Sequence, residues 1–191
     1  MQKEHRFVVL SDTHVGDRAR RLDPGLLKAV TDLQPEAILH CGDACRRSTI
    51  EELEKIAPVR NVQGNRDWFQ AHKAPMELMF EANGVKIVIA HGHLSMWQYI
   101  LDHFLILLTF SSIFYQFFRD RLAKRYPDAD LILYGHTHTA ADDQIGSQRL
   151  INVGAGYPNR LNKHQVEFGL LTIDGSGRID YRHFAIPPTK A

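Results

Sequence analysis

Short apolar runs alternate with amphipathic segments over the first third of the chain. The apolar runs cover residues 6–10, 37–40 and 59–63, and each is followed by a polar residue or a glycine. Residues 24–33 and 48–56, which lie between them, have the apolar spacing of helices. This alternation predicts strand–loop–helix units, a parallel sheet and right-handed crossovers. In such sheets ligands bind at the carboxyl ends of the strands.

Two helix starts are predicted from local sequence. Asp23 stands before the first amphipathic segment as a candidate N-cap, and Pro24 follows at the first helical position. Ser48 and Glu51 have the spacing of a capping box at the start of the second helix.

The second half of the chain has a different pattern. Residues 77–82 and 86–90 flank Asn83-Gly84, which is a strong hairpin signal. Further strands are predicted at 131–134, 148–153, 168–174 and 178–186. We therefore expect an α/β fold of a single domain over residues 1–191, a four-layer αββα sandwich of two mixed sheets flanked by helices.

The segment from 94 to 126 interrupts this pattern. Residues 104–118 contain no charged side chain, and four basic residues follow them. Because this stretch is shorter than the ~20 residues that a membrane-spanning helix needs, we predict a helical-hairpin insertion. Its first helix would begin near Ser95, the chain would break at Ser111-Ser112, and the second helix would end near Tyr126. The apolar surface could pack on its own domain, form a homo-oligomer interface, or contact a membrane or a lipid-like substrate.

Composition narrows the class of protein. The chain has 191 residues, 44% of them hydrophobic, and a formal net charge of +1. This balance is ordinary for a globular domain, and it predicts no specific nucleic-acid binding. No secretory apolar region follows the N-terminal residues, so we expect a cytoplasmic location, with membrane contact through 104–118 left open. The two cysteines, Cys41 and Cys45, do not form a disulfide framework and are interpreted as small buried residues.

Metal-ligand residue types recur in short segments, most of which come directly after an apolar run. The segments are Asp12-Thr13-His14, Gly42-Asp43, Gly64-Asn65-Arg66-Asp67, His91-Gly92-His93 and Gly135-His136-Thr137-His138. Carboxylate, imidazole and amide groups suit Mn²⁺, Fe, Co, Ni or Zn²⁺. Two divalent ions about 3.5–4 Å apart can bind a phosphoryl group and activate water near neutral pH. A bridging carboxylate is needed in such a site, and the segments predict a metal-dependent phosphoester hydrolase.

The order of these segments resembles that of the calcineurin-like metallophosphoesterases. It is most similar to the small bacterial and archaeal phosphodiesterases, whose fold is shared by a retromer subunit. The resemblance implies two divalent metal ions, manganese first, with Asp43 bridging them and a hydroxide between them as the nucleophile. The implied ligands of the first ion are Asp12, His14, Asp43 and His138, and those that complete the second are Asn65, His91 and His136.

The residue after Asn65 departs from a common pattern in that superfamily. Many phosphatases have a histidine there as a proton donor to the leaving group, whereas this chain has Arg66. Arginine cannot donate a proton at neutral pH, but it can stabilise phosphate charge. The change favours phosphodiester or pyrophosphate substrates over monoesters. His93 is the candidate for the missing acid, Asn65 and Arg66 for phosphate contacts, and Asp67 for a residue that orients a neighbour.

Two alternative functions stay open at this point. Gly64-Asn65-Arg66-Asp67 also resembles the UDP-diacylglucosamine pyrophosphatases, which use an apolar helical insertion to bind acyl chains, and 104–118 lies in the corresponding part of this chain. The second alternative is a non-catalytic protein-binding scaffold, as in the retromer subunit. That alternative predicts loss of ligand residues, and none is lost here.

Overall fold

The structure, a computed structural model, describes residues 3–69, 74–92 and 114–189. Within these ranges the helices are α1 (Pro24–Asp32), α2 (Arg47–Glu54) and α3 (Phe114–Arg125), and Asp67–Phe69 forms a short 3₁₀ helix. The strands are β1 (His5–Leu10), β2 (Ala37–His40), β3 (Val59–Asn61), β4 (Glu77–Ala82), β5 (Val85–Ala90), β6 (Leu131–Tyr134), β7 (Ala141–Ile145), β8 (Gln148–Asn152), β9 (Val166–Ile173) and β10 (Ile179–Ile186).

The strands form two mixed five-stranded sheets. The first has the order β10-β9-β1-β2-β3, and the second has the order β4-β5-β6-β8-β7. β1, β2 and β3 are parallel to one another, and β5, β6 and β8 are parallel in the second sheet. The remaining pairs are antiparallel. In both sheets, therefore, several neighbouring strands end at the same edge.

The alternation of side chains along the strands builds the layers. In β1, Phe7 and Val9 join a core that contains Ile87 and Leu133 of the second sheet, so the two sheets pack face to face. Val8 and Leu10 point the other way and pack with residues of α1 and α2 such as Leu26. On the outer face of the second sheet, residues of α3 pack in the same manner. This arrangement confirms the predicted αββα sandwich.

One of the two predicted helix starts is correct. Asp23 caps α1 by accepting hydrogen bonds from the N–H groups of Gly25 and Leu26, and Pro24 is the first helical residue. The capping box at Ser48 is wrong. α2 already begins at Arg47, with Arg46 as an N-cap whose side chain makes no capping hydrogen bond. Ser48 therefore lies inside the first turn, where its hydroxyl cannot cap the helix.

The predicted hairpin forms, whereas one strand near the end of the chain was not predicted. Asn83 and Gly84 join β4 to β5, and both have the positive φ that a type I′ turn requires. β7 was not predicted, because its sequence contains two acidic residues and few β-formers. It forms as an edge strand by pairing with β8, which shows that a neighbouring strand can outweigh weak propensity.

The insertion is described only in part. α3 ends at Arg125, close to the end predicted near Tyr126. The predicted first helix and the break at Ser111-Ser112 lie outside the described residues. Of the helices that the structure describes, none is long and apolar enough to span a membrane.

Candidate metal centre

The loops at the carboxyl ends of five strands meet at one edge of the two sheets. Loops after β1, β2 and β3 carry Asp12, His14, Asp43 and Asn65, and loops after β5 and β6 carry His91, His136 and His138. All seven predicted ligand residues are thus brought together, four from the first sheet and three from the second. This placement follows from the topology, because both sets of parallel strands end at the same edge.

Most of these residues have an uncommon backbone conformation. Residues with positive φ among the seven are Asp12, His14, Asp43, His136 and His138, with values from 48° to 73°. Non-glycine residues adopt this region at a cost, and such strain is concentrated at functional sites. The folded structure therefore holds these side chains in place against the local preference of the chain.

Three side-chain atoms form the first ligand group. Asp12 Oδ1 lies 3.2 Å from His138 Nε2 and 3.6 Å from His14 Nε2. The two imidazole nitrogens are 3.1 Å apart. All three residues are buried.

A second group lies beside the first. Asn65 Oδ1 is 3.1 Å from His91 Nε2 and 3.0 Å from His136 Nδ1, and these two nitrogens are 3.3 Å apart. Asp43 Oδ2 lies 3.5 Å from His91 Nε2 and also 3.5 Å from His14 Nε2 of the first group. Asp43 is therefore placed between the two groups.

The ligand groups fit divalent ions. Donor atoms about 2.0–2.2 Å from a metal in regular geometry lie roughly 3.0–3.5 Å from one another, and the distances within both groups, from 3.0 to 3.6 Å, are close to this spacing. Asp12 Oδ1 is buried and has no hydrogen-bond partner in the described part of the chain. A buried carboxylate oxygen without a partner is costly unless a cation binds it. The donor set of oxygen and imidazole nitrogen suits Mn²⁺, Fe, Co, Ni and Zn²⁺.

Buried charge shifts the protonation of these groups. Burial alone would raise the pKa of Asp12, but the attraction of His91, His138 and His14 outweighs burial and holds it well below the usual value. Burial would lower the pKa of His91, but Asp43 and Asp12 raise it to about 10. Since His91 Nδ1 faces the Cys41 carbonyl oxygen at 2.7 Å, Nε2 is the atom presented to Asn65 and Asp43. The second ligand group therefore contains a histidine whose orientation is fixed by the backbone.

Two glycines permit the close approach of the loops. A Cβ atom built on Gly64 would lie 2.1 Å from Asp43 Oδ1, and one built on Gly135 would lie 1.8 Å from Ser11 Oγ and 2.4 Å from Asp12 Oδ2. No side chain fits at these distances. The glycines before Asn65 and His136 are thus required by crowding and not by a positive φ.

Asp67 organises the loop that carries Asp43. Its carboxylate accepts hydrogen bonds from the N–H groups of Asp43 at 2.9 Å, Cys45 at 2.7 Å and Gly64 at 2.8 Å. It is not within either ligand group. These contacts hold the backbone of the loops that carry Asp43 and Asn65, and the role of Asp67 in catalysis stays a prediction.

His40 and the cysteines lie behind the ligands. His40 is fully buried, its Nε2 is 3.2 Å from Thr13 Oγ1, and burial lowers its pKa to about 4. A neutral His40 therefore supports the loop after β1. Cys41 and Cys45 are buried and not disulfide-bonded, and burial raises the pKa of both thiols. The interpretation of both as small buried residues agrees with this placement.

Four residues near the site were not found from the sequence. Asp17 Oδ2 lies 3.1 Å from His14 Nδ1, and Tyr157 Oη lies 3.4 Å from His138 Nδ1. Arg18 Nη1 donates to Tyr157 Oη at 2.8 Å. Asn152 Nδ2 donates to the Gly135 carbonyl and to Thr137 Oγ1, which braces the loop of His136 and His138. The spacing of Asp17 from His14 is a weak signal, and Asn152 and Tyr157 lie in a segment whose pattern is too loose to assign either of them a role.

Of the predicted catalytic residues Arg66 and His93, the structure describes only Arg66. Arg66 donates its backbone N–H to Asp43 Oδ1 at 2.7 Å, and its side chain is 42% exposed at the rim of the centre. His93 lies outside the described residues. Its proposed role as a proton donor stays a prediction.

Comparison with known proteins identifies the family. The model of the calcineurin-like phosphoesterase superfamily domain matches residues 6–176. The chain belongs to this superfamily. The match covers all five metal-type segments and most of the chain outside them.

Relatives and solved structures agree with this assignment. A probable metallophosphoesterase of Methanothermobacter thermautotrophicus is 30% identical over 171 residues, which cover 87% of this chain and 85% of that protein. Vacuolar protein sorting 29 from Cryptosporidium parvum is 16% identical, with a TM-score of 0.68 and coverage of 96% of this chain and 100% of that chain. Vps29 from Entamoeba histolytica, in complex with Zn²⁺, is 20% identical, with a TM-score of 0.65 and coverage of 94% and 98%. At these identities the two Vps29 structures are evidence for the superfamily fold alone.

Proposed function

We propose that this chain is a phosphodiester hydrolase that uses two divalent metal ions. The observation that carries the proposal is the pair of ligand groups that share Asp43, whose Oδ2 lies 3.5 Å from both His14 Nε2 and His91 Nε2. Asp12, His14 and His138 would hold the first ion, and Asn65, His91 and His136 the second, with Asp43 between them. When bound, two such ions supply positive charge to a phosphoryl group and lower the pKa of water.

The metal identity is proposed from the donor set. Nitrogen and oxygen ligands without a thiolate suit Mn²⁺, Fe, Ni, Co or Zn²⁺, and Mn²⁺ is placed first because the resemblance to the superfamily implies it. The zinc complex of the Entamoeba histolytica Vps29 is consistent with a divalent ion in this fold.

The residues around the ligand groups would bind and orient the phosphate. Asn65 directs Oδ1 at His91 and His136, which leaves its amide N–H groups to donate to a phosphate oxygen. Arg66 is held beside Asp43 by its backbone N–H, and its exposed guanidinium can donate to phosphate oxygens. Because the side chain at this position cannot donate a proton, substrates with good leaving groups are favoured, such as diesters and pyrophosphates.

Hydrolysis of bis-p-nitrophenyl phosphate by Mn²⁺-loaded protein tests this proposal. We expect turnover by the unaltered protein and its loss by at least 100-fold in Asp43→Asn, since the amide cannot supply the charge shared by the two ligand groups. Asp128→Asn is the matched control, because Asp128 is exposed and lies before the amino end of β6, whereas His136 follows its carboxyl end. Purified, metal-loaded protein without activity on any diester or pyrophosphate would contradict the proposal.

The lipid pyrophosphatase hypothesis stays a prediction. Most of the apolar segment 104–118 on which it rests lies outside the described residues. A cavity of about 420 Å³ lies between the second sheet and the end of α3, lined by Met79, Val88 and Tyr126 among others. That cavity is at the starts of β5 and β6, away from His91 and His136. It therefore does not offer an acyl-chain site beside the metal centre.

The scaffold hypothesis also stays a prediction. The Vps29 structures share the fold, and the fold alone does not decide between catalysis and protein binding. The complete set of ligand residues favours the enzyme. A chain that only bound proteins would have no need for the strained backbone at Asp12, His14 and Asp43.

A further inference from the structure

Two guanidinium groups lie near one carboxylate at the rim of the metal centre, and a third lies against the adjacent backbone. Asp17 Oδ2 lies 3.7 Å from Arg18 Nε and 3.9 Å from Arg66 Nε. Arg46 lies against the neighbouring backbone, since a Cβ atom built on Gly16 would be 1.9 Å from Arg46 Nε. We name Arg18, Arg46 and Arg66 the arginine rim.

The arginine rim has more positive charge than its surroundings neutralise. Among the described residues Asp17 is the only carboxylate within ion-pair distance of Arg18 or Arg66, and Arg46 has no ion pair in those ranges. Asp17 itself is also 3.1 Å from His14 Nδ1. Arg18 and Arg66 are 40% and 42% exposed, so both can reach a bound anion. A surplus of exposed guanidinium charge is a typical feature of a phosphate-binding site.

The arginine rim is adjacent to the two ligand groups. The backbone N–H of Arg66 donates to Asp43 Oδ1. Arg18 donates to Tyr157 Oη, and this hydroxyl lies beside His138 Nδ1, the ring nitrogen that points away from the ligand group. Asp17 contacts the corresponding outer nitrogen of His14. The guanidinium groups of Arg18 and Arg66 therefore lie one side chain farther out than the ligand atoms. A group bound there would be the next part of a substrate whose reacting phosphate is at the metal centre.

We infer that the arginine rim binds a second phosphate group of the substrate, so that the substrate is a diphosphate ester with a P–O–P linkage. This inference rests on the proposed function, because it places the reacting phosphate at the metal centre. Water would add to the phosphorus there, and the bridging P–O bond would break with its electron pair on the departing phosphate. The products are two phosphate monoesters, and two protons pass to solvent.

This chemistry agrees with the residue types at the rim. A departing phosphate leaves as an anion and needs charge stabilisation more than a proton. Guanidinium groups supply charge and paired hydrogen bonds but no proton. Arg66, which occupies the position of a histidine in many phosphatases, therefore suits a diphosphate better than an alkyl monoester.

The decisive experiment compares one-phosphate and two-phosphate substrates in matched variants. The substrates are thymidine 5′-(p-nitrophenyl phosphate) and P1,P2-diadenosine diphosphate, assayed with Mn²⁺. In Arg18→Gln and in Arg46→Gln we expect kcat/KM for the diphosphate to fall at least tenfold more than kcat/KM for the one-phosphate diester. Arg47→Gln is the control, because Arg47 follows Arg46 directly but pairs with Glu51 at 2.8 Å. UDP-diacylglucosamine, assayed in parallel, distinguishes a lipid-linked diphosphate from a soluble nucleotide.

A binding measurement separates the subsite from catalysis. Calorimetry should show that the Mn²⁺-loaded protein binds methylenediphosphonate more tightly than methylphosphonate, and that Arg18→Gln and Arg46→Gln reduce this preference at least fivefold. Equal losses on both substrates together with an unchanged binding preference would overturn the inference and leave the proposed function intact. If the unaltered protein hydrolyses neither substrate nor any other diester, the proposed function fails, and the calorimetric preference still decides whether the arginine rim binds a second phosphate.

Discussion

At the scale of single residues, Asp67 shows how a side chain outside the ligand groups can determine the site. Its two carboxylate oxygens accept three backbone hydrogen bonds from the loops of Asp43 and Asn65. In Asp67→Asn one acceptor becomes an N–H donor that faces other donors. We expect a loss of about 1–3 kcal/mol in the free energy of unfolding and a fall of about 10–100-fold in Mn²⁺ affinity, typical of residues that orient ligands. Urea denaturation and calorimetric titration measure the two effects.

A control for Asp67 is available in another turn. Asp174 Oδ1 accepts hydrogen bonds from the N–H groups of Ser176 and Arg178, far from the metal centre in the β9–β10 connection. Asp174→Asn should leave Mn²⁺ affinity unchanged. Equal Mn²⁺ affinity in Asp67→Asn and the unaltered protein would show that the three hydrogen bonds do not position Asp43.

Tyr157 illustrates what residue patterns in the sequence do not reveal. Its ring packs edge-on against His14 and His138, with centroid distances of 5.1 and 5.5 Å, and its hydroxyl joins His138 to Arg18. It lies 19 residues beyond His138 in a loop without a motif of its own. The ligands could be predicted because their types and order are distinctive. Their supporting side chains could not, because an isolated tyrosine or asparagine is common in any loop.

At the scale of elements, the loops after β2 and β3 touch so closely that only glycine fits at position 64. Gly64→Ala would place a Cβ atom 2.1 Å from Asp43 Oδ1 and 2.3 Å from Asp43 N. Relief of this clash must move the loop that carries Asp43. We expect a destabilisation of about 1–3 kcal/mol and a loss of at least tenfold in Mn²⁺ affinity, measured by denaturation and by calorimetry.

Gly84→Ala separates backbone strain from crowding. Gly84 has φ of +82° in the β4–β5 turn, and a Cβ atom there would meet nothing within 4 Å. This variant should lose about 1–2 kcal/mol in stability while its Mn²⁺ affinity is unchanged. If both glycine variants bound Mn²⁺ as the unaltered protein does, the crowding at Gly64 would have no role in placing Asp43.

Buried strands were predicted more accurately from the sequence than the edge strand β7 or the start of α2, and the difference has physical reasons. Strands with buried faces on both sides, such as β1 and β6, have continuous apolar runs that leave little ambiguity. β7 could not be found because an exposed edge strand needs no such run. The start of α2 was misplaced by one residue because Ser48 is a residue type that often caps helices, whereas the helix begins at Arg47 and its first turn is held by a local hydrogen bond from Thr49 Oγ1 to the Ala44 carbonyl oxygen.

At the scale of the whole molecule, the candidate centre joins the two sheets. Asp12, His14, Asp43 and Asn65 belong to loops of the first sheet, and His91, His136 and His138 to loops of the second. Ligand atoms from the two sheets face one another at short distances, His14 Nε2 towards His138 Nε2 and Asn65 Oδ1 towards His91 Nε2, so a cation bound between them would contact both sheets. Ions bound at this edge would therefore tie the sheets together.

Binding of Mn²⁺ should accordingly stabilise the folded chain. At a free Mn²⁺ concentration of 100 times the dissociation constant, binding to one site adds about 2.7 kcal/mol to the free energy of unfolding. For a chain of this size, that corresponds to a rise of roughly 5–10 °C in the unfolding midpoint. Thermal unfolding followed by circular dichroism, with Mn²⁺ and after treatment with EDTA, measures this shift.

Substitutions of single ligands show how much each ligand group contributes to the Mn²⁺-dependent rise in the unfolding midpoint. Asp43→Asn should remove most of it, because Asp43 faces both groups, whereas His138→Ala and His136→Ala should each remove the part that belongs to its own group. Asp128→Asn should retain the full shift. An unfolding midpoint that Mn²⁺ raises equally in all of these variants would mean that the ion binds elsewhere, and the joining of the two sheets through Asp43 would then be wrong.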